Sequence, residues 1–290
     1  MSQTAGSRVF DAAAGITRAL PHFWGKWQVA NVLRRLLLPL RGSADPLCTV
    51  RMKDGSTMTW DVRDAAEGRA VFLGLWDEFI RNAVAAQLPA DAVVLDVGAS
   101  VGAWTVPLAR QLGPGARVIA FEPVPANRER LERVITMNAL HNVTVSPLAL
   151  GDATHPVDMW LRSSVTGAGS GTAAVVDTGK GHLTVNMSLL DDWADSSGLG
   201  RVDLIKLDVE GAELLVLNGA VRTVARCRPL ILAEFDTYWM STHSHTVADV
   251  QQWAAASAYT MRHWNRHARC FETTKRIGSD ETLLVPNERA

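Results

Sequence analysis

Cysteine is scarce. Cys48, Cys227 and Cys270 are the only three in 290 residues, an odd number, widely spaced and without a C-x-x-C pair. This excludes a disulfide framework and argues against a structural zinc site. An excess of either charge is also lacking, since 29 Lys and Arg stand against 30 Asp and Glu for a formal net charge of −1. A near-neutral field gives no reason to expect nucleic acid or a strongly acidic partner. No apolar run approaches the ~20 residues that span a bilayer, and no N-terminal stretch has the basic, apolar and small-residue order of a signal peptide. The expectation is a cytoplasmic protein with no transmembrane segment; no feature of the sequence sets an oligomeric state.

What is present suffices for a large core. Hydrophobic residues make up 47% of the chain, and the length suits one α/β domain with an N-terminal extension. We place the extension at residues 1–64 and the main domain at 65–290. Residues 1–20 show little pattern. Residues 21–41 mix Phe23, Trp24, Trp27, Leu33 and Leu36 with Lys26, Arg34, Arg35 and Arg41. They read as an amphipathic helix covering the main domain, with peripheral membrane contact as the alternative. Cys48–Met52 and Thr57–Asp61 flank an Asp-Gly turn and predict a small hairpin. Residues 65–88 follow helical spacing, interrupted by Gly68 and Gly74.

From residue 92 the pattern alternates strand and helix, the sign of a mostly parallel sheet with helices on both faces. Strands are expected at 92–97, 116–121, 143–149, 202–208, 229–235, 258–263 and 281–285. Pro107 falls inside the first intervening helix, where it should remove a hydrogen bond and bend the helix. A hairpin insertion near 157–187 places strands at Val157–Leu161 and His182–Met187. They surround the Gly/Ser/Thr-rich Ser163–Thr172, which is either a connector or a substrate lid.

Five positions along this pattern carry chemistry. The first is Asp96-Val97-Gly98-Ala99-Ser100-Val101-Gly102, where a strand meets a helix through small residues that let a ligand approach the backbone. Asp96 would repel a pyrophosphate but suits an ammonium, a sulfonium or ribose hydroxyls. The spacing also departs from the dinucleotide G-x-G-x-x-G, although such turns also serve packing alone. The second is Glu122, followed by Pro123, ending a strand where a carboxylate can accept two ribose hydroxyls. The third is Leu148-Ala149-Leu150-Gly151-Asp152, whose end can read an adenine edge. The fourth is Lys206, Asp208 and Glu210. Lys206 and Asp208 share one face of an apolar strand, so the lysine should pair with Asp208, Glu210 or Glu234. The fifth is Glu234 with Asp236, His243 and His245. A divalent metal could be drawn from these acids and imidazoles, but no spacing indicates one.

In this order and at these intervals, the motifs DVGASVG, Glu122-Pro123, LALGD and DLIKLDVEGAE resemble the FkbM family of S-adenosylmethionine-dependent methyltransferases, over about residues 70–265. The resemblance implies the Rossmann-like class I methyltransferase fold, with a seven-stranded sheet, and transfer of a methyl group to a hydroxyl of a small molecule such as a sugar or secondary metabolite. It places S-adenosyl-L-methionine on Asp96, Gly98, Ser100, Gly102, Glu122, Pro123, Gly151, Asp152 and Asp208. Asp208 is the first candidate base, then Glu210 and His243, with Lys206 beside them. The family turn usually has Asn where this chain has Ser100; a serine can still cap the following helix but loses one amide contact. An inactive binding or scaffold protein on the same fold is one alternative. An NAD-dependent oxidoreductase is another, opposed by the missing glycine pattern.

Overall fold

The structure is a computed structural model and describes residues 5–21, 23, 25–41, 46–161, 173–175, 183–273 and 281–290. Two compact units form, one from the chain through Glu78, the other from residues 79–161 and 173–290.

The first unit contains α1 (Ala5–Ala19), α2 (Lys26–Arg41), β1 (Leu47–Arg51), β2 (Thr57–Asp61) and α3 (Ala65–Leu73). The expected hairpin is present, in register from Leu47 opposite Asp61 to Arg51 opposite Thr57. Its turn is tied by Asp54, whose carboxylate accepts from the Ser56 amide at 2.9 Å. Asp64 starts α3 by accepting from the amides of Ala66 and Glu67, satisfying two of the donors a helix start leaves open. Gly74, at φ +67°, ends it. This is why residues 65–88 form two helices and not one.

Two features correct the sequence reading of this unit. Residues 5–19, which read as unpatterned, form α1: Phe10, Ala14 and Thr17 recur at helical spacing and are buried, with Phe10 packed edge-on against Phe72 at 5.1 Å. In α2 the polarity is reversed. Lys26, Ala30 and Arg34 are the buried residues, while Trp27, Val32, Leu36 and Leu40 are at least half exposed. The cations tolerate burial because carbonyls receive them: Lys26 donates to Leu20 O at 2.6 Å, and Arg34 donates to the carbonyls of Val62, Arg63 and Asp64.

The second unit opens with α4 (Glu78–Ala85), whose first residue precedes it, and continues through β3 (Val93–Val97), α5 (Thr105–Leu112), β4 (Arg117–Phe121), α6 (Pro125–Met137) and β5 (Val143–Ser146). There follow β6 (Ala149–Gly151), β7 (His155–Leu161), β8 (Ala173–Val175), β9 (Leu183–Leu189) and α7 (Leu190–Ser196). The chain then forms β10 (Leu204–Leu207), α8 (Glu213–Asn218), α9 (Val221–Cys227), β11 (Leu230–Glu234), α10 (Thr237–Thr242) and α11 (Val247–Ala256). Last come β12 (Tyr259–Asn265), β13 (Cys270–Thr273) and β14 (Glu281–Pro286).

The main sheet runs β13-β12-β14-β11-β10-β3-β4-β5. Its pairings from β11 through β5 are parallel, and β14 runs antiparallel between β11 and β12. All seven expected strands are present. β13 is an eighth, a short edge strand on β12. The core lies where apolar runs such as Val93-Val94-Leu95 and Leu230-Ile231-Leu232 are buried on both faces, as a parallel sheet covered by helices requires.

The expected strand at 143–149 is divided. β5 stays in the main sheet, whereas β6 joins a four-stranded sheet of order β6-β9-β7-β8. The expected insertion strands are β7 and β9, antiparallel to each other; Ser163–Thr172 and His182 lie outside the described residues. Pro107 does not bend a helix interior. α5 begins at Thr105, so the proline occupies the first turn; the one bond it omits lies between those of Val106 to Gly102 and Leu108 to Trp104, at the helix start where proline is tolerated. α9 has no cap of its own; Asp191 on α7 accepts from the amides of Arg222 and Thr223 at 2.8 and 2.7 Å. No helix among the described residues is long and apolar enough to cross a membrane.

Leu95, fully buried at the sheet centre, gives a direct measure of this core. Leu95→Ala should lower the unfolding free energy by about 2–5 kcal/mol, read from urea denaturation.

Candidate functional site

The sheet directs its chemistry to one place. From β3 the chain steps outward through β4 to β5, then returns to β10 on the other side of β3. The crevice above the carboxyl ends of β3 and β10 is the switch point where open α/β sheets bind ligands. The turn after β3 has left-handed backbone at Gly98 (φ +82°), Ser100 (φ +48°) and Gly102 (φ +89°). Gly98 admits nothing larger, because an added Cβ would lie 2.0 Å from the Asp208 carbonyl oxygen. This glycine is therefore required by the neighbouring strand's exit, and it locks the two turns against each other. Gly102 is required by packing, with Leu131 Cδ1 2.7 Å from where a Cβ would stand. Ser100 does not cap α5, which begins five residues later.

Asp96 lies beneath this turn, buried, with Oδ2 accepting from the Thr105 hydroxyl at 2.6 Å and Oδ1 without a hydrogen-bond partner. Burial raises its pKa, opposed by Lys206 and Thr105. Glu122, also buried, accepts from the amides of Ser100 and Val124, both at 2.8 Å. It thus holds the glycine turn onto the end of β4. Burial pushes its carboxyl up to about 7 against the pull of these two amides, Asn127 and Arg128. Pro123 follows it between β4 and α6.

Lys206 lies in register with Asp96 and donates to Asp208 Oδ2 at 2.9 Å. Among the three partners the sequence left open, this is the contact formed. Burial alone would lower the pKa of this ammonium, but Asp208, Asp96 and Glu281 together raise it. Its Nζ also lies 5.5 Å from the centre of the Trp104 ring. Asp208 reaches out of the sheet, its side chain 45% exposed.

A cleft of about 160 Å³ opens there, lined by Asp208, Glu210, Gly211, Glu213, Glu234, Asp236 and Trp239. The cleft brings together Asp208, Glu210, Glu234 and Asp236, as the sequence suggested, and leaves His243 outside its lining. Asp236 caps α10 through the amides of Tyr238 and Trp239. His243 ends that helix; its ring centre lies 6.4 Å from that of His245. Burial lowers the pKa of His243, as does His245, while Asp152 opposes them. Gly151 packs so tightly against Met187 that a Cβ would fall 2.3 Å from its sulfur, and Asp152 beside it is exposed. Among the described residues no three of His, Cys, Asp and Glu are grouped to hold a metal ion.

Sequence reasoning passed over Glu213. It is 1% exposed, and its Oε1 accepts from the amides of Val209 and Gly211, each at 3.2 Å. It thereby shapes the turn that carries Glu210, at φ +51°. Its Oε2 has no hydrogen-bond partner. Burial pushes the carboxyl up to about 7 against three backbone hydrogen bonds, with Asp208 adding to the rise. The available signal was the E-G-A-E spacing, which puts a second acid at the first residue of a helix.

A doubly wound sheet with an acid-lined cleft at the carboxyl ends of β10 and β11, beside its switch point, defines a Rossmann-like scaffold. Residues 96–261 match the family model of the methyltransferase FkbM domain. The match covers more than half of the chain, which belongs to this family and has the class I methyltransferase architecture. The chain is 30% identical over 156 residues to the 2-O-methyltransferase NoeI of Sinorhizobium fredii, covering 48% of this chain and 61% of that one. It is 32% identical over 130 residues to the hexuronic acid methyltransferase AglP of Haloferax volcanii, covering 44% and 50%. The chain thus spans about half to three fifths of the length of these curated relatives. A crystal structure of methyltransferase FkbM from Methylobacillus flagellatus KT superposes with a TM-score of 0.47 at 18% identity, covering 74% of this chain and 53% of that one.

Two measurements test the geometry. Gly98 and Gly113 both have φ +82°, but nothing lies within 4 Å of a Cβ at Gly113. Gly113→Ala should cost about 1–3 kcal/mol from backbone strain alone, and Gly98→Ala clearly more, in urea unfolding. The second concerns pH. The carboxyls of Glu122 and Glu213 are raised from 4.5 to about 7, so unfolding releases their protons between those values. Their contribution to stability is present below the unfolded pKa and is lost as pH rises toward 7, with a slope of about 1.4 kcal/mol per pH unit for each group. Glu213→Gln should flatten that fall, measured as unfolding free energy across the same pH range.

Proposed function

We propose that the protein is an S-adenosylmethionine-dependent O-methyltransferase that acts on a hydroxyl of a small molecule. One observation carries the reading: the glycine turn after β3 and the acidic turn after β10 meet at the Gly98–Asp208 contact, so a cofactor site and a proton-accepting site share one crevice. The donor set fits this cofactor. Asp96 Oδ1 is buried without a partner, and the acids around the cleft suit a sulfonium and an ammonium. Glu122, fixed by two amides, retains acceptor capacity for ribose hydroxyls. Gly151 and Asp152 are assigned to the adenine side.

When bound, S-adenosylmethionine supplies an electrophilic methyl carbon on a cationic sulfur. The chain's task is to hold an acceptor oxygen in line and to remove its proton. Positioning provides much of the acceleration. Asp208, kept in place by Lys206 and facing the opening, takes the hydroxyl proton. Glu210 and Glu234 orient the acceptor from the cleft wall. One observation favours a second proton acceptor: Glu213 has a free oxygen, and burial sets its carboxyl near 7, the range in which a base works best at neutral pH. The O-methyl transfer in the name of NoeI and the hexuronic acid in that of AglP support a hydroxyl acceptor on a sugar or similar small molecule. No step of this reading requires a divalent metal.

Asp208→Ala should lower kcat by about 10²–10⁴-fold, a larger effect than its weakening of S-adenosylhomocysteine binding measured by calorimetry. Glu122→Ala should instead weaken that binding. Full turnover in both variants, with sugar or secondary-metabolite acceptors, would overturn the assignment. Binding of NAD in place of S-adenosylhomocysteine would favour an oxidoreductase.

A further inference from the structure

The reversed polarity of α2 lies outside the cleft, and α1, although its buried face is apolar at Phe10 and Ala14, also carries exposed apolar residues. On α2, Val29, Val32, Leu36 and Leu40 recur at spacings of three and four and are 40%, 55%, 66% and 51% exposed. On α1 and just beyond it, Val9, Ile16 and Leu20 recur at spacings of seven and four on one face and are 51%, 67% and 43% exposed. An ordinary surface helix presents the opposite pattern. Both helices bear on α3 with their buried faces, Phe10 against Phe72 and Arg34 against Gly68. The exposed stripes therefore form the outer surface of a two-helix layer.

The charges of this layer identify what covers it. Arg8 and Arg35 are exposed. The one carboxylate on the two helices, Asp11, is taken by Arg41. Among the described residues of α1 and α2 the surface is thus apolar, bordered by arginine, and offers no free acid. A second copy of the chain would present the same arginines and no carboxylate in return, since a two-fold interface sets like patch against like patch. The complementary surface is apolar beneath a layer of negative charge.

We propose that the α1–α2 layer docks on an anionic membrane surface, with Ile16, Val32, Leu36 and Leu40 entering the headgroup boundary and Arg8 and Arg35 contacting acidic lipids. This is peripheral association in the plane of the interface. It stands independently of the methyl-transfer reading.

The test is co-sedimentation of the full chain with phosphatidylcholine vesicles, with and without phosphatidylglycerol. The wild-type protein should pellet with the anionic vesicles and far less with the neutral ones. An arginine near an anionic surface contributes about fivefold. Arg8→Ala with Arg35→Ala should therefore weaken anionic binding by about 25-fold and leave neutral binding unchanged. Ile16→Glu with Leu36→Glu should abolish both; the sites are exposed, so thermal melting should match wild type. Wild-type protein that stays in the supernatant with anionic vesicles overturns the proposal. So does binding that survives both pairs of substitutions. Sedimentation showing a dimer dissociated by Ile16→Glu, without vesicle binding, assigns the face to a second copy instead.

Discussion

A single buried ammonium organises the main sheet. Lys206 lies at the sheet centre, its side chain 3% exposed, where an unpaired charge would cost several kcal/mol. Its charge is supported from three strands or their ends: Asp96 on β3, Asp208 just past β10 and Glu281 on β14. The same requirement explains why carboxylates can sit so deep. Lys206 opposes the burial of Asp96, and its hydrogen bond to Asp208 fixes one carboxylate at the mouth of the cleft. Structure and chemistry here use the same charges. A lysine whose spacing suits a strand-end ion pair or a catalytic group is a neutralising centre and also the support for the carboxylate we propose as proton acceptor.

The rest of the site extends this logic with backbone groups. Glu122 and Glu213 are each held by two amides, one pair tying the glycine turn to β4, the other shaping the turn after β10. Their own charge is disfavoured by burial, which pushes both carboxyls up to about 7. In the first unit the solution is mirrored: buried cations at Lys26 and Arg34 are met by carbonyls, which leaves the apolar side chains of α2 outside. Both halves show that a buried charge can be accommodated when the backbone offers directed partners.

Much of this was legible in the sequence. The strands of the main sheet announce themselves as uninterrupted apolar runs such as Val93-Val94-Leu95, because both faces are covered. The motifs put Asp208 and Glu210 after one strand and Glu234 and Asp236 after another, at the same end of the sheet, before any geometry was available, but left out Glu213. Other features depend on partners distant in sequence. The inward face of α2 was misread because apolar content alone predicts burial, while the Leu20 carbonyl before the helix selects Lys26 and carbonyls after the hairpin and at the next helix start select Arg34. α1 is stabilised by Phe72, far along the chain. The role of Glu213 lies in hydrogen bonds to its own turn, which composition does not display. Pro107 misled because its effect depends on the helix boundary, and boundaries are set by local capping that spacing does not reveal.

The position of β14 has a consequence for the order in which the protein is made. The parallel half of the sheet uses residues 93–234, and it has all its strands once β11 has left the ribosome. The hairpin of β12 and β13 cannot join it then. Its attachment runs through β14, which lies between β11 and β12 but follows both in the chain. During synthesis the edge of β11 therefore stays open, with the β12 hairpin waiting beside it, until residues 281–286 emerge. Glu281 arrives with that strand, so the last carboxylate around Lys206 is also supplied last. Newly made chains thus pass through a stage with an unpaired strand edge, which is when a chaperone would matter most.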